Sequence, residues 1–533
     1  MSNPPRAEIR NFERPACRRA CLPRGLRRRR ATADRSPFRE ELPGEFVIPC
    51  SIFDSSWCTS RELGDPGNTH TLWMGAKIWR FTAVSFSWIA VLAIGVFLLL
   101  GGMASAAGLA DRVFEATLAN GLKVLLVEEP KAPVVSIQVR YKVGSRNEPI
   151  GKSGISHMLE HMMFKGTPTI GPKQFSLTVQ RNGGVDNAHT TADYTAYYED
   201  FAADRVLLGL ELEADRMAHL SLEEKEFLPE RQVVMEERRL RIEDQPANVL
   251  GETMRATAYL AHPYRWPVIG WMSDIEGYTR EDLVRHYRTY YIPNNATLIV
   301  AGDIKKDDLL PKIRTLFEHI PRGLDPPKVA TVEPPQRGER RLYVKKDAEL
   351  PLVFAVYHVP NLSHPDTYAL DILAYVLGGG ESARLHQRVV YEKQLASYAA
   401  ADYPSVHVDG CLFGLSAGPL PGKTAEEVEQ ALYAEVERLQ REPIPDRELQ
   451  KAKSQIESEF VFAQDSVHRL ASLLGAYESV ASWRLLSGYL DGIRAVTAAD
   501  VQRVAQRYLT TDNRTVAILT PTKSGVTAEG TGR

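Results

Sequence analysis

Cysteine is scarce in this 533-residue chain, and scarcest where a fold must be built. Four of the five, Cys17, Cys21, Cys50 and Cys58, precede residue 74 and leave Cys411 alone in the body. A single thiol closes no intrachain disulfide, so the body must be held by an apolar core, which its length permits. The four early cysteines match no zinc-ribbon spacing. An excess of charge of one sign is also missing: the formal net charge is −2, which carries no footprint of nucleic-acid binding. The glycine run Gly378 to Gly380 lacks the lysine and the strand context of a phosphate-binding loop. Only one long hydrophobic run occurs, Phe81 to Leu100.

The residues before that run differ in character from those after it. Twelve arginines against four acidic residues fall within positions 1–40, without hydrophobic periodicity, so residues 1–73 are expected to be a disordered basic extension or the product of a misassigned start. From Met74 the pattern is that of an export signal: Lys77 and Arg80, the apolar run, then Ala104-Ser105-Ala106 as a cleavage site, over residues 74–106. The run is also long enough to span a bilayer, so a cleaved signal and an uncleaved inner-membrane anchor at residues 81–100 both stay open. Either places the remainder outside the cytoplasm, in the periplasm, because positive charge precedes the run and little comes after it.

The chemistry concentrates in GISHMLEHMMFKGT, residues 154–167, where His157, Glu160 and His161 stand in the order His-x-x-Glu-His. On a helix His157 and His161 lie four residues apart on one face, so both imidazoles can reach one tetrahedral metal. Glu160 lies on nearly the same face, where a carboxylate can take a proton from a water that zinc has acidified. A catalytic zinc usually has three protein ligands. The third is expected in PERQVVMEERRLRIED, read as a proline-started helix in which Glu230 and Glu237 lie two turns apart on a shared face. Glu237 is assigned as the third ligand of one zinc per chain, and Glu230 as the carboxylate that orients the ligands.

The body also repeats itself. TREDLVRHYRTYYIPNNATLIVAGD at 279–303 and TAADVQRVAQRYLTTDNRTVAILTP at 497–521 pair Thr279 with Thr497, Asp282 with Asp500, Tyr290 with Tyr508 and Asn295 with Asn513. Each reads as an amphipathic helix, a polar turn and an apolar strand. The repeat implies an α+β chain of two homologous domains, the first over 114–315 and the second over 342–521. The proline-bearing segment 316–341 is the linker and 522–533 a loose tail.

His157, Glu160 and His161, with Glu230 and Glu237 downstream, resemble the pitrilysin or insulinase family of inverted-motif zinc peptidases, which includes the β subunit of mitochondrial processing peptidase. GGVDNAHTTADYTAYY, 183–198, resembles its substrate-binding strand, and 270–303 resembles the end of its first domain. The resemblance implies a duplicated processing-peptidase-like fold of two α/β-sandwich domains, forming half of a clamshell. It also implies hydrolysis of peptides or unfolded segments held along Asn187 and Ala188 by main-chain hydrogen bonds at a sheet edge.

Self-sufficient members of that family carry an arginine and, seven residues later, a tyrosine that bind the substrate carbonyl. Aligning LGGGESARLHQRVVYEKQLASYAAADY, 377–403, on its glycine loop and EKQLA segment places Val390 and Ser397 there, and neither supplies a charge or a phenol. The resemblance therefore implies a heterodimer in which a homologous, zinc-less chain provides the pair. The competing reading is a non-catalytic assembly or binding subunit, which has no need of His157, Glu160, His161 and Glu237 together.

Overall fold

The computed structural model describes residues 109–522, all within one compact unit. The basic extension, the signal or anchor at 74–106, the four early cysteines and nearly all of the tail fall outside the described residues. Among those described, no helix is long and apolar enough to cross a membrane.

Two mixed sheets organise the chain. The first contains β1 (Val113–Thr117), β2 (Lys123–Glu128), β3 (Val134–Tyr141), β4 (Val185–Thr190), β5 (Thr195–Ala202) and β6 (Ala296–Gly302), in the order β1-β2-β6-β3-β5-β4. The second contains β7 (Arg340–Lys346), β8 (Leu352–Val359), β9 (Ala396–Asp402), β10 (Cys411–Pro419) and β11 (Arg514–Pro521), in the order β7-β11-β8-β10-β9. Leaving β1 aside, the two orders match strand for strand. The β2/β6 and β7/β11 pairs are parallel, and every other matching pair is antiparallel. The fold is α+β and internally duplicated. Between the sheets, residues 321–339 contain neither helix nor strand, in keeping with five prolines that remove backbone donors.

Six helices matter below: α1 (Ile155–Met162), α2 (Glu224–Arg238), α3 (Pro246–Ala258), α4 (Arg280–Tyr290), α5 (Val467–Val480) and α6 (Ala498–Tyr508). The sequence repeat falls on α4–β6 and α6–β11. Thr279 caps α4 through the backbone N–H of Asp282, and Thr497 caps α6 through that of Asp500, each inside a reciprocal capping box. Asn295 Nδ2 donates to the Tyr290 carbonyl at 2.9 Å, as Asn513 Nδ2 donates to that of Tyr508 at 2.8 Å.

Strand alternation divides each sheet into two faces. In the first, Val124, Leu126, Leu298 and Val300 point to one side with Val135, Ile137 and Val139, and pack with Leu159 and Met162 of α1. Their neighbours Leu125, Val127, Ile299 and Ala301 point to the other side, against Leu470, Ala471 and Leu474 of α5. The second sheet receives the reciprocal cover, since Leu250, Met254 and Ala258 of α3 pack on Val356, Ala517 and Leu519. Each half thus lends a helix to the outer face of the other half's sheet.

Candidate metal centre

The site begins with how α1 is anchored. Ile155, Met158, Leu159 and Met162 belong to the core, which leaves His157, Glu160 and His161 on the remaining face of a helix buried along its whole length. At its start Gly154 has φ +86, and a Cβ there would meet Ile269 O at 2.3 Å and the Gly270 Cα at 2.8 Å. Only glycine fits both that conformation and that approach. The Glu148 carboxylate then accepts from the backbone N–H of Gly154 at 2.7 Å and of Ser156 at 2.8 Å, satisfying donors that the first turn leaves open. Ser156 Oγ lies 3.0 Å from His286 Nε2 of α4, so the helix is fixed from two sides.

The second element is α2. Pro229 does not start it: the helix begins at Glu224 and contains Pro229 within its length. A proline there costs one hydrogen bond, which packing of Phe227, Val234 and Met235 in the core offsets. The helix passes into a π turn at Arg239–Glu243, a rare form that recurs at functional sites. Glu230 and Glu237 both face α1. One ligand atom each from His157, His161 and Glu237 lie within 4.8 Å of one another, and among the described residues this is the one such group of metal-ligating side chains. His157 Nε2 is 3.8 Å and His161 Nε2 3.4 Å from Glu237 Oε2.

Donor chemistry fits a divalent cation at the centre of these atoms. Glu230 Oε1 lies 2.9 Å from His161 Nδ1; an ionised carboxylate can only accept, so Nδ1 carries a proton and Nε2 is the ring atom that faces Glu237. Lys165 Nζ pairs with the other oxygen of Glu230. Arg241 Nε lies 3.2 Å from Glu237 Oε1, leaving Oε2 toward the histidines. His161 Nε2 and Glu237 Oε2 are buried, and among the described residues neither has a hydrogen-bond partner. A pair of buried polar atoms left without partners is costly unless something joins them.

The electrostatics agree. Burial, aided by the neighbouring His161, pulls His157 down to about 4, so its imidazole is neutral and able to ligate. Burial also pulls on His161, but the hydrogen bond to Glu230 and the nearby Glu237 and Glu160 carboxylates outweigh it and hold the ring up to about 9. That proton occupies the place of a cation and must leave for one to bind. Burial raises Glu237, yet His161, His157 and Arg241 bring it down to about 2, an ionised ligand. Glu160 is raised to about 7, chiefly by burial, which suits a group that must gain and lose a proton near neutrality.

Asn187 and Ala188 lie on β4, opposite Tyr198 and Tyr197 of β5. GGVDNAHTTADYTAYY is therefore two strands joined by a turn. β4 is the last strand of its sheet, and its free edge offers backbone groups for an added strand. Ala188 is buried in the core with α1, while Asn187 Oδ1 accepts from the Ala188 N–H at 2.8 Å.

Residues 123–270 match the sequence profile of the insulinase family, peptidase family M16, and residues 277–456 match that of the M16 inactive domain. The zinc protease PqqE of Helicobacter pylori is 38% identical over 410 residues, covering 76% of this chain and 92% of that protein. The chain belongs to peptidase family M16. Another M16 relative by sequence, the uncharacterized zinc protease YmxG of Bacillus subtilis, is 28% identical over 76% of this chain and 97% of its own length. The crystal structure of a protease from Helicobacter pylori superposes with a TM-score of 0.74 at 37% identity, over 77% of this chain and 99% of that one. The periplasmic protease PqqL of Escherichia coli shares the fold, with a TM-score of 0.66 at 18% identity; the match covers 77% of this chain and 48% of PqqL.

For an M16 chain the positions of Val390 and Ser397 bear on the electrophilic pair. They do not share a helix: Val390 lies in a π turn, His386–Glu392, and Ser397 on β9. Val390 packs against the second core, and Ser397 Oγ donates to the Gly418 carbonyl at 3.2 Å. The residues directed outward are Tyr391 and Tyr398, also seven apart. The sequence reading also passed over Glu148, Lys165, Thr190 and Arg241. Two of these carry a usable signal, since Lys165 comes four residues after His161 and Arg241 four after Glu237, the spacing of helix neighbours.

Proposed function

We propose that this M16 chain is a zinc endopeptidase acting on peptides or unfolded polypeptide segments, with its catalytic half in residues 114–315 and its second half in 342–521. The observation that carries the reading is the convergence of His157, His161 and Glu237 within 4.8 Å, beside a Glu160 whose burial keeps its proton exchangeable near neutral pH. His157, His161 and Glu237 would hold one zinc, whose Lewis acidity acidifies water and polarises a carbonyl. Glu230 keeps His161 in the ligating tautomer. Glu160 takes the proton from the attacking water and returns it to the departing amine. The substrate backbone pairs along the edge of β4 at Asn187 and Ala188.

The alignment puts Val390 where self-sufficient members carry the arginine, and valine supplies no charge. We therefore place the missing arginine and tyrosine on a homologous, zinc-less partner chain, in a heterodimer exported to the periplasm, where the signal or anchor at 74–106 directs it.

The test is hydrolysis of a dye-quenched casein by the zinc-loaded chain, alone and co-expressed with a homologous chain lacking His-x-x-Glu-His, with Glu160→Gln as control. Activity confined to the pair and abolished by Glu160→Gln is the expected result. Full activity of the single chain overturns the shared site. Bound zinc without hydrolysis in either form favours the non-catalytic subunit.

A further inference from the structure

The general base is itself held by a hydroxyl on the substrate strand. Thr190, the last residue of β4, donates from Oγ1 to Glu160 Oε2 at 2.5 Å, and both side chains are buried. Two residues earlier on the same face of β4 is Ala188, so the strand proposed to bind the substrate backbone also grips the base. Behind it, Thr195 of β5 pairs directly with Thr190 in the ladder. Its Oγ1 donates to the Val143 carbonyl at 2.9 Å and lies 3.3 Å from Thr190 Oγ1. The Thr195 proton is committed to that carbonyl. Thr190 is thus free to give its single proton to Glu160.

We infer that Thr190 is a positioning residue for Glu160, fixing Oε2 by its hydroxyl so that Oε1 is the oxygen presented to water. This inference rests on the reading of Glu160 as general base. A hydroxyl suits the place because it can donate to a carboxylate while carrying no charge of its own. Both hydroxyl protons have an acceptor, Glu160 for Thr190 and the Val143 carbonyl for Thr195, in an interior where an unmet donor is costly. The tie also links substrate and base mechanically, because a peptide that draws β4 into register sets the strand that carries Thr190.

The experiment compares Thr190→Val, which keeps the shape and removes the hydroxyl, with Thr190→Ser, which restores it, in the full zinc-loaded chain or its pair, whichever cleaves quenched casein. Expected for Thr190→Val is a fall in kcat of about 10–100-fold, the usual scale for loss of a supporting hydrogen bond. KM and zinc content should hold, because the hydroxyl meets Glu160 rather than a zinc ligand, and Thr190→Ser should recover most of the rate. A second readout needs no turnover: the Glu160 carboxylate band, identified in the infrared difference between parent and Glu160→Gln, shifts in Thr190→Val and stays in Thr190→Ser. An unshifted band, an unchanged kcat, or equal losses in Val and Ser overturns the inference. Hydrolysis that survives Glu160→Gln instead overturns the general-base reading, and leaves the band to report on the hydrogen bond alone.

Discussion

Glu230 holds His161 by its Nδ1–H at 2.9 Å and so turns the opposite ring nitrogen toward Glu237. Orientation through a carboxylate typically adds a factor of about 10–100 to metal affinity. Glu230→Ala is expected to weaken zinc by that factor, in competition with a chromophoric chelator, while thermal melting of the zinc-free chain changes little. A variant that binds zinc as tightly as the parent removes Glu230 from this role.

Glu237 and Glu160 are neighbours in space with different expected duties. Glu237→Ala should lose zinc from the purified chain, as metal analysis reads directly. Glu160→Gln should retain one zinc and yet lose about 10²–10⁴-fold in turnover, the range for a general base. If Glu160→Gln is purified without metal, or Glu237→Ala with a full complement, the assignments are exchanged or wrong.

Gly154 and Gly270 touch across the start of α1, each with positive φ. Alanine at 154 meets backbone rather than a movable side chain, and adds strain of about 1–3 kcal/mol for the left-handed conformation. Gly154→Ala should lower the melting temperature and weaken zinc together, because the helix it displaces carries both histidines. Gly151, whose φ is also positive but with nothing within 4 Å of an added Cβ, serves as control: alanine there should leave zinc binding intact.

Stability should depend on pH through Asp371. Burial pushes its carboxyl up to about 7, although the Tyr489 hydroxyl donates to it at 3.0 Å. An acid raised on folding contributes stability that is complete below its unfolded value, near 4, and is lost as pH rises through 7. At 1.36 kcal/mol per unit the loss approaches about 4 kcal/mol. Thermal melts should therefore fall between pH 4 and 7 in the parent, and fall less in Asp371→Asn. Parallel curves for the two proteins would show that Asp371 does not titrate in this window.

Much of the site was legible in the sequence because it is local. His157 with His161, and Glu230 with Glu237, are spaced by whole helical turns, and the structure brings both pairs to one centre. The repeat was legible for the same reason, since Thr279 with Asp282 and Thr497 with Asp500 are capping boxes written within four residues. The features that stayed hidden depend on register or on distant chain. Pro229 reads as a helix start although the preceding turn is helical too. Val390 and Ser397 keep a helical spacing in the sequence, but a π turn and a strand replace the helix. Thr190 reaches Glu160 only because β4 packs on α1, which no spacing announces.

The exchanged helices α3 and α5 predict that the halves do not separate. A protease site engineered between residues 321 and 338, once cut, should leave two fragments that elute together in gel filtration and melt as one, since each holds the other's cover. Fragments that part without denaturant contradict this.

The same exchange dictates an order of events during synthesis. The first sheet is complete once β6 has emerged, but Leu125, Val127, Ile299 and Ala301 stay bare until Leu470 and Leu474 arrive some 170 residues later. At about 5–20 residues per second, that is roughly 10–30 seconds with an apolar face open, a period in which nascent chains aggregate. The catalytic half, which carries every proposed zinc ligand, thus completes its fold only when the half without them is nearly finished.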